Sequence, residues 1–250
     1  GLSPPLGERL KRAARNRQTR QPVVAFGIKL LGAALSFAFN LAIARHFGAA
    51  GTGSFGLALT TATLAATISL LGLDYILLRT VAGDLKVGHK AEARGAIRTV
   101  VRAVGSSALA VAVVTGTAAI PLLTWLLDDP RINDALPLAA LAIVPVALMR
   151  TASVGLRSTG QILFAQWLDG PLSMLITLSF FGLLLVTGEA RDVRLLFIGH
   201  IVSTALVCLL AWWRNRRVVR EWPESAAVPL RPMLAQSWRI SLTVLSVLAI

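Results

Sequence analysis

Two arginines carry the sharpest chemical suggestion in the chain. Arg150 and Arg157 stand seven residues apart around the end of an otherwise uncharged stretch. On a helix that is about two turns, so both guanidiniums fall on one face, roughly 10 Å apart along the axis. Each guanidinium is a planar fork of N–H donors suited to phosphate or carboxylate. If that face lines a cavity, the pair forms an anion-binding strip; if it faces lipid, both side chains reach headgroup phosphates instead. Lys29 lies about two turns inside an apolar run, where an ionisable group costs ~3 kcal/mol or more unless its stem carries the ammonium back to the interface. Arg45 and Arg79 stand near the ends of apolar runs. Asp74 directly follows the run that ends at Leu73, and Asp169 lies at the start of another, directly before Gly170–Pro171. These two acids are the candidates for counter-ion or coupling groups.

Other motifs fail on context. Gly51-Thr-Gly53-Ser-Phe-Gly56 matches G-x-G-x-x-G, but a dinucleotide site needs a buried strand before the glycines and a βαβ unit around them. Here they join two apolar runs in a short turn. The acids of Asp128-Asp-Pro-Arg-Ile-Asn-Asp134 resemble a Mg²⁺-binding cluster only loosely, and a solvated turn accounts for them. His46, His89 and His200 are scattered, and His200, inside an apolar run, reads as a satisfied polar group. The composition contains no HExxH, CxxC, P-loop or G-x-S-x-G motif. Nothing in the sequence argues for an enzyme, a metal site or a cofactor.

The elements that must position these residues are membrane helices. Hydrophobic residues make up 55% of the chain and charged ones 15%. Six complete apolar runs span Pro22–Ala44, Thr52–Leu73, Val100–Leu127, Ala135–Gly155, Leu168–Thr187 and Leu195–Trp213, and a seventh begins near Ile240. Each is about 20 residues, the length that crosses ~30 Å of hydrocarbon. The basic residues alternate with them. About 20 of the 25 fall in Arg9–Arg20, Arg79–Arg102, the Arg150/Arg157 pair and Arg214–Arg239. The positive-inside rule then predicts a cytoplasmic amino terminus and six crossings that return the chain to the cytoplasm. The net charge of +13 is therefore spread over loops, not gathered on a basic surface with interleaved aromatics, which argues against nucleic-acid binding.

Smaller features agree. Trp125, Trp167, Trp212, Trp213 and Trp238 lie near run ends, where an amphipathic ring suits the headgroup layer. Cys208 is alone, so no internal disulfide is possible. Pro121, Pro137, Pro145 and Gly170–Pro171 predict kinked helices in runs three to five. The second run, from Thr60 to Thr67, offers small residues for close helix packing. Residues 1–21 form a basic tail lying on, or dangling beside, the inner leaflet. The unit 22–213 is a six-helix lobe, 214–239 a proline-punctuated linker, and 240–250 the start of a seventh span. The chain lacks an initial methionine and stops inside that span, which predicts a piece of a longer protein.

Three stretches carry a resemblance. Phe39-Asn-Leu-Ala-Ile-Ala-Arg45-His-Phe-Gly48 through Gly53-Ser-Phe-Gly56 resembles the "A-R-x-x-G … G-x-[YF]-G" junction between spans one and two of polysaccharide and oligosaccharide flippases of the MOP (multidrug/oligosaccharidyl-lipid/polysaccharide) superfamily. Leu71-Gly72-Leu73-Asp74 through Arg79 is similar to that family's "L-G-[LF]-D … R" end of span two, and Gly155-Leu-Arg157-Ser-Thr-Gly160-Gln161 is a weaker echo after span four. The resemblance implies an all-α, two-lobe membrane transporter of which this is the amino-terminal half. It further implies a multi-pass protein of the bacterial cytoplasmic (inner) membrane. That protein moves polyprenyl-diphosphate-linked oligosaccharide between leaflets by alternating access, for O-antigen or exopolysaccharide assembly. Its partners would be the lipid-linked glycan, membrane lipids and the polysaccharide polymerase machinery. Lys29, Arg150 and Arg157 then become candidates for the diphosphate contact, with Arg45 and Arg79 behind them. A cation-coupled multidrug exporter and a lipid II flippase of the same superfamily stay open. So does an integral-membrane polyprenyl-phosphate transferase, which would need a cytoplasmic carboxylate cluster that the chain lacks.

Overall fold

The computed structural model describes residues 6–127, 136–190, 192–224, 228–235 and 237, with side chains from residue 21 onward. The Asp128–Asp134 turn and the run from Ile240 lie outside the described residues. Among the described residues every regular element is helical. In chain order these are α1 (Leu6–Leu70), α2 (Leu73–Val87), α3 (Lys90–Val114), a π-helical turn (Thr115–Ala119), α4 (Ile120–Leu127), a 3₁₀ turn (Leu136–Leu138), α5 (Ala139–Ser158), α6 (Ile162–Leu168), α7 (Pro171–Thr187) and α8 (Val193–Val219).

Five helical stretches are long and apolar enough to cross a bilayer: Gln21–Leu70, Lys90–Leu126, Leu136–Ser158, Ile162–Thr187 and Val193–Val219. The first is bent back on itself. Gly48, with φ 68° and ψ −167°, interrupts α1, a conformation open to glycine at little cost. The sixteen steps from Phe39 to Phe55 would span ~24 Å in a straight helix. Their rings instead meet edge to face with centroids 5.2 Å apart, so the two arms of α1 lie side by side. The reversal is made by Gly48 alone; Gly51, Gly53 and Gly56, expected in the turn, are helical. One residue with positive φ suffices to redirect the chain.

The helices also overrun their apolar runs at the charged ends. The basic tail is helical from Leu6, α3 starts at Lys90 and not at Val100, and α8 continues past Trp213 to Val219. Arginine is a good helix former, so hydropathy ends before the backbone hydrogen bonding does. Proline has local effects. Pro121 cannot donate to the carbonyl four residues before it and its ring crowds that carbonyl, and the turn directly preceding it, Thr115–Ala119, is widened to π geometry. Pro171 opens α7 as its first residue after Gly170 (φ 153°) breaks the chain.

Helix α5 is the centre. Ala142, Ile143, Ala147, Ala152 and Leu156 are all buried, and they serve three apolar clusters. One joins α5 to the second arm of α1, α2 and α3; another joins it to both arms of α1, α7 and α8; the third joins it to α6 and α8. Small residues permit the approach of helices: a Cβ on Gly32 would meet the Pro171 ring at 3.0 Å. Outward, Val23, Phe26, Leu30, Phe37, Leu109, Val113, Leu206 and Leu209 are all exposed. A surface of that apolarity on every outer helix suits lipid contact and would drive aggregation in water. The architecture is that of a polytopic α-helical membrane protein.

Candidate functional site

The Gly48 reversal brings the second arm of α1 down beside α5, ending at Leu70. Two successive left-handed residues, Leu71 (φ 52°) and Gly72 (φ 70°), then turn the chain into α2. Leucine in that region is strained by about 1–2 kcal/mol. The turn sets Asp74 in the first turn of α2, opposite the end of α5. Beyond α5, the break at Gly170 leaves Asp169 at the C-terminus of α6, within reach of the last turn of α5.

These elements enclose a cavity of about 450 Å³, and its wall includes Thr67, Asp74, Tyr75, Arg150, Arg157 and Asp169. The two arginines of α5 therefore share one face, and that face lines a cavity instead of lipid. Their partners differ. Arg157 is ion-paired with Asp169 through Nη2 and Oδ2, while its Nε–H is buried with no acceptor. Arg150 donates from Nη1 to the Thr67 hydroxyl at 2.8 Å, and among the described residues no carboxylate lies within 4.0 Å of it. Asp74 lies just beyond the apolar stretch that ends at Leu70. Burial pushes its carboxyl above the usual carboxylate range, against the opposing pull of the Tyr75 and Asp74 backbone N–H groups and the Arg150 charge.

The structure thus gathers four of the expected residues, Asp74, Arg150, Arg157 and Asp169, and separates three. Lys29 is exposed on the first arm of α1, flanked by exposed Phe26 and Leu30. One helical step is ~100°, so while Ile28 points into the bundle, Lys29 does not. Arg45 is exposed near the Gly48 end, beside a shallow cavity with Leu41, His46 and Leu185. Arg79 is exposed on α2.

Thr67 was legible only as a packing residue, since its neighbours Ala62, Ala65 and Ala66 are buried; the hydroxyl's use by Arg150 has no signature in the sequence. His200 is buried near the other end with Nδ1 3.2 Å from the Thr177 hydroxyl, as a satisfied polar group. Compared with known protein families, curated proteins and solved structures, the chain matches none. What the fold and cavity define is a class: a helical membrane protein with a charged, partly ion-paired cavity opening near one end of its bundle.

Proposed function

We propose that this chain forms the amino-terminal six-helix lobe of a MOP-type flippase, with its amino terminus in the cytoplasm. Its cavity would engage the diphosphate of a polyprenyl-linked oligosaccharide. The observation that carries the reading is the state of the two α5 arginines. Among the described residues Arg150 hydrogen-bonds a neutral hydroxyl and no carboxylate, and Arg157 keeps a buried Nε–H without an acceptor. A buried unsatisfied donor costs about 1–3 kcal/mol; small rotations of the two side chains around an incoming phosphate would satisfy it and replace the Thr67 contact with a charge-assisted one. Asp169 holds Arg157 in place and balances its charge. The Gly48 reversal supports the count of six, because each arm of α1, residues 21–47 and 49–70, is long enough to span a bilayer.

Deletion of the gene in its native host tests the reading. Polyprenyl-diphosphate glycan should accumulate in the cytoplasmic leaflet, and Arg150→Ala should fail to restore surface polysaccharide while the protein reaches the membrane in normal amount. Full restoration by Arg150→Ala would end the assignment of that residue.

One observation favours a second reading. A half-buried carboxyl with a raised affinity for its proton, Asp74, suits a proton-coupled exporter of cationic compounds. In that case the deletion strain keeps its surface glycan and becomes sensitive to lipophilic cations.

A further inference from the structure

A second concentration of arginine lies outside the cavity, where the start of α3 meets the end of α8. Arg94, Arg98 and Arg102 recur every four residues along α3, and Arg216 and Arg220 do the same on α8, so each set forms a stripe on its helix. The two stripes face one another across a groove of about 530 Å³ floored by Ile97, Val101, Trp212 and Val219. Among the described residues a single carboxylate serves this group. Glu224 lies 3.3 Å from Arg94 and 3.8 Å from Arg98, and the Arg94 Nη1 also donates to the Trp222 carbonyl at 2.6 Å. Among the described residues no carboxylate lies within 4.0 Å of Arg102, Arg216 or Arg220.

The groove does not end at the arginines. It runs into a second hollow of about 560 Å³ that shares Val101, Trp212 and Arg216 with it and adds Leu209 and Trp213. Val202, Leu206, Leu209 and Trp213 are exposed at helical spacing on α8, so this hollow opens along the outward apolar face of that helix. The order along one stripe of α8 is thus aliphatic, aromatic, guanidinium. An anionic amphiphile in a bilayer has the same order, acyl chain, glycerol interface, phosphate. A soluble anion would use the arginines and leave the apolar hollow empty; a protein strand or helix would meet five guanidiniums at one end and lipid at the other.

We propose that the α3–α8 groove is a binding site for an anionic bilayer phospholipid. Its phosphate is held by Arg98, Arg102, Arg216 and Arg220, and one acyl chain lies against Val101, Leu209, Trp212 and Trp213. The site is separate from the Arg150 cavity and does not depend on what that cavity transports.

Tryptophan quenching tests it on the full chain held in zwitterionic lipid. Phosphatidylglycerol brominated on its acyl chains should quench the fluorescence at several-fold lower mole fraction than brominated phosphatidylcholine. Raising the salt should erase most of that preference without any substitution. The triple variant Arg102→Gln, Arg216→Gln, Arg220→Gln alters exposed side chains and should quench equally with both lipids. The pair Trp212→Phe, Trp213→Phe should lose most of the headgroup-dependent signal. Equal quenching by the two lipids in the unaltered chain would overturn the proposal, as would a preference that survives the triple variant. Displacement of the brominated phosphatidylglycerol by an equimolar polyprenyl diphosphate would also overturn it, since the site would then belong to that lipid.

Discussion

The half of the bundle near Gly48 and the half near Arg150 use polar and aromatic residues in opposite ways. Toward Gly48, Phe39 packs against Phe55 and Phe181 with centroids at 5.2 and 6.5 Å, and Phe55 meets Phe197 at 5.3 Å. These rings join both arms of α1 to α7 and α8 and leave no charged group among them. Two polar side chains there are tied in, His46 Nε2 donating to the Ala190 carbonyl at 2.6 Å and His200 meeting Thr177, while the Ser54 hydroxyl is buried without a partner among the described residues. Toward Arg150 the bundle holds a cavity lined by two arginines and two aspartates, next to a strained Leu71. One half is an aromatic seal with no charged group among its rings. The other packs through its own apolar clusters and adds to them polar contacts that a ligand could replace. Such a division is what the proposed flippase reading requires, one end closed by packing and the other lined by groups that could exchange partners.

The largest loss is expected at the aromatic seal. Phe39→Ala should destabilise the protein by about 3 kcal/mol, because it leaves a ring-sized void between Phe55 and Phe181; the unfolding midpoint in detergent should fall sharply. Arg150→Ala, by contrast, should move that midpoint little. Equal losses in the two variants would mean that the halves are not energetically distinct. Next is the turn itself. Gly48→Val places a β-branched residue at φ 68°, ψ −167°, a region nearly restricted to glycine, with open space around the new Cβ, so the loss should be mainly backbone strain, about 2–3 kcal/mol. At the cavity, Asp169→Asn should cost about 1 kcal/mol by leaving Arg157 unpaired, and exchanging the two, Arg157→Asp with Asp169→Arg, should recover most of it. No recovery would show that the pair's orientation matters more than its charge balance.

The smallest effect sharpens the comparison by pH. The Asp74 carboxyl holds its proton more tightly in the folded protein than at the ordinary 3.8. Its contribution to stability is therefore fully present below that value and is lost as the pH rises through the raised folded one. The same protonation removes the negative charge nearest Arg150. Inorganic diphosphate, measured by calorimetry, should bind more tightly as the pH falls through that range, and Asp74→Asn should flatten the dependence while keeping the tighter affinity.

How much of this could be read from residues alone follows from what each inference needed. The apolar runs are a one-dimensional property, and five long apolar stretches, one of them reversed at Gly48, stand where the runs do. The shared face of Arg150 and Arg157 needed only the helical repeat. Which neighbour that face meets needed azimuth and register, and these are tertiary. Depth in the apolar run singles out Lys29, yet depth does not say which way a side chain points, and one residue of rotation from buried Ile28 sends it outward. Asp169 sits twelve positions from Arg157, across the turn at Gly160 and the whole of α6, and no periodicity links them. The arginines of α3 and α8 were visible as charge flanking two runs. Their convergence required knowing that both helices extend beyond their apolar segments and end side by side.

The π turn at Thr115–Ala119 has a consequence for the geometry of α3 and α4 as a single screw. Ala108 belongs to the buried cluster around α2 and α5, whereas Ile120 belongs to the one around Phe39 and Phe197. Twelve residues of regular helix would leave these two positions about 120° out of phase. A π turn absorbs about one extra residue, so the effective count is eleven and the mismatch falls to about 20°. The wide turn is a phase correction that lets one continuous rod keep the same edge inward over its full length. Deleting a single residue within it should convert it to plain α-helix with both contacts kept, whereas deleting one anywhere else in the rod would turn half of its buried edge toward the lipid.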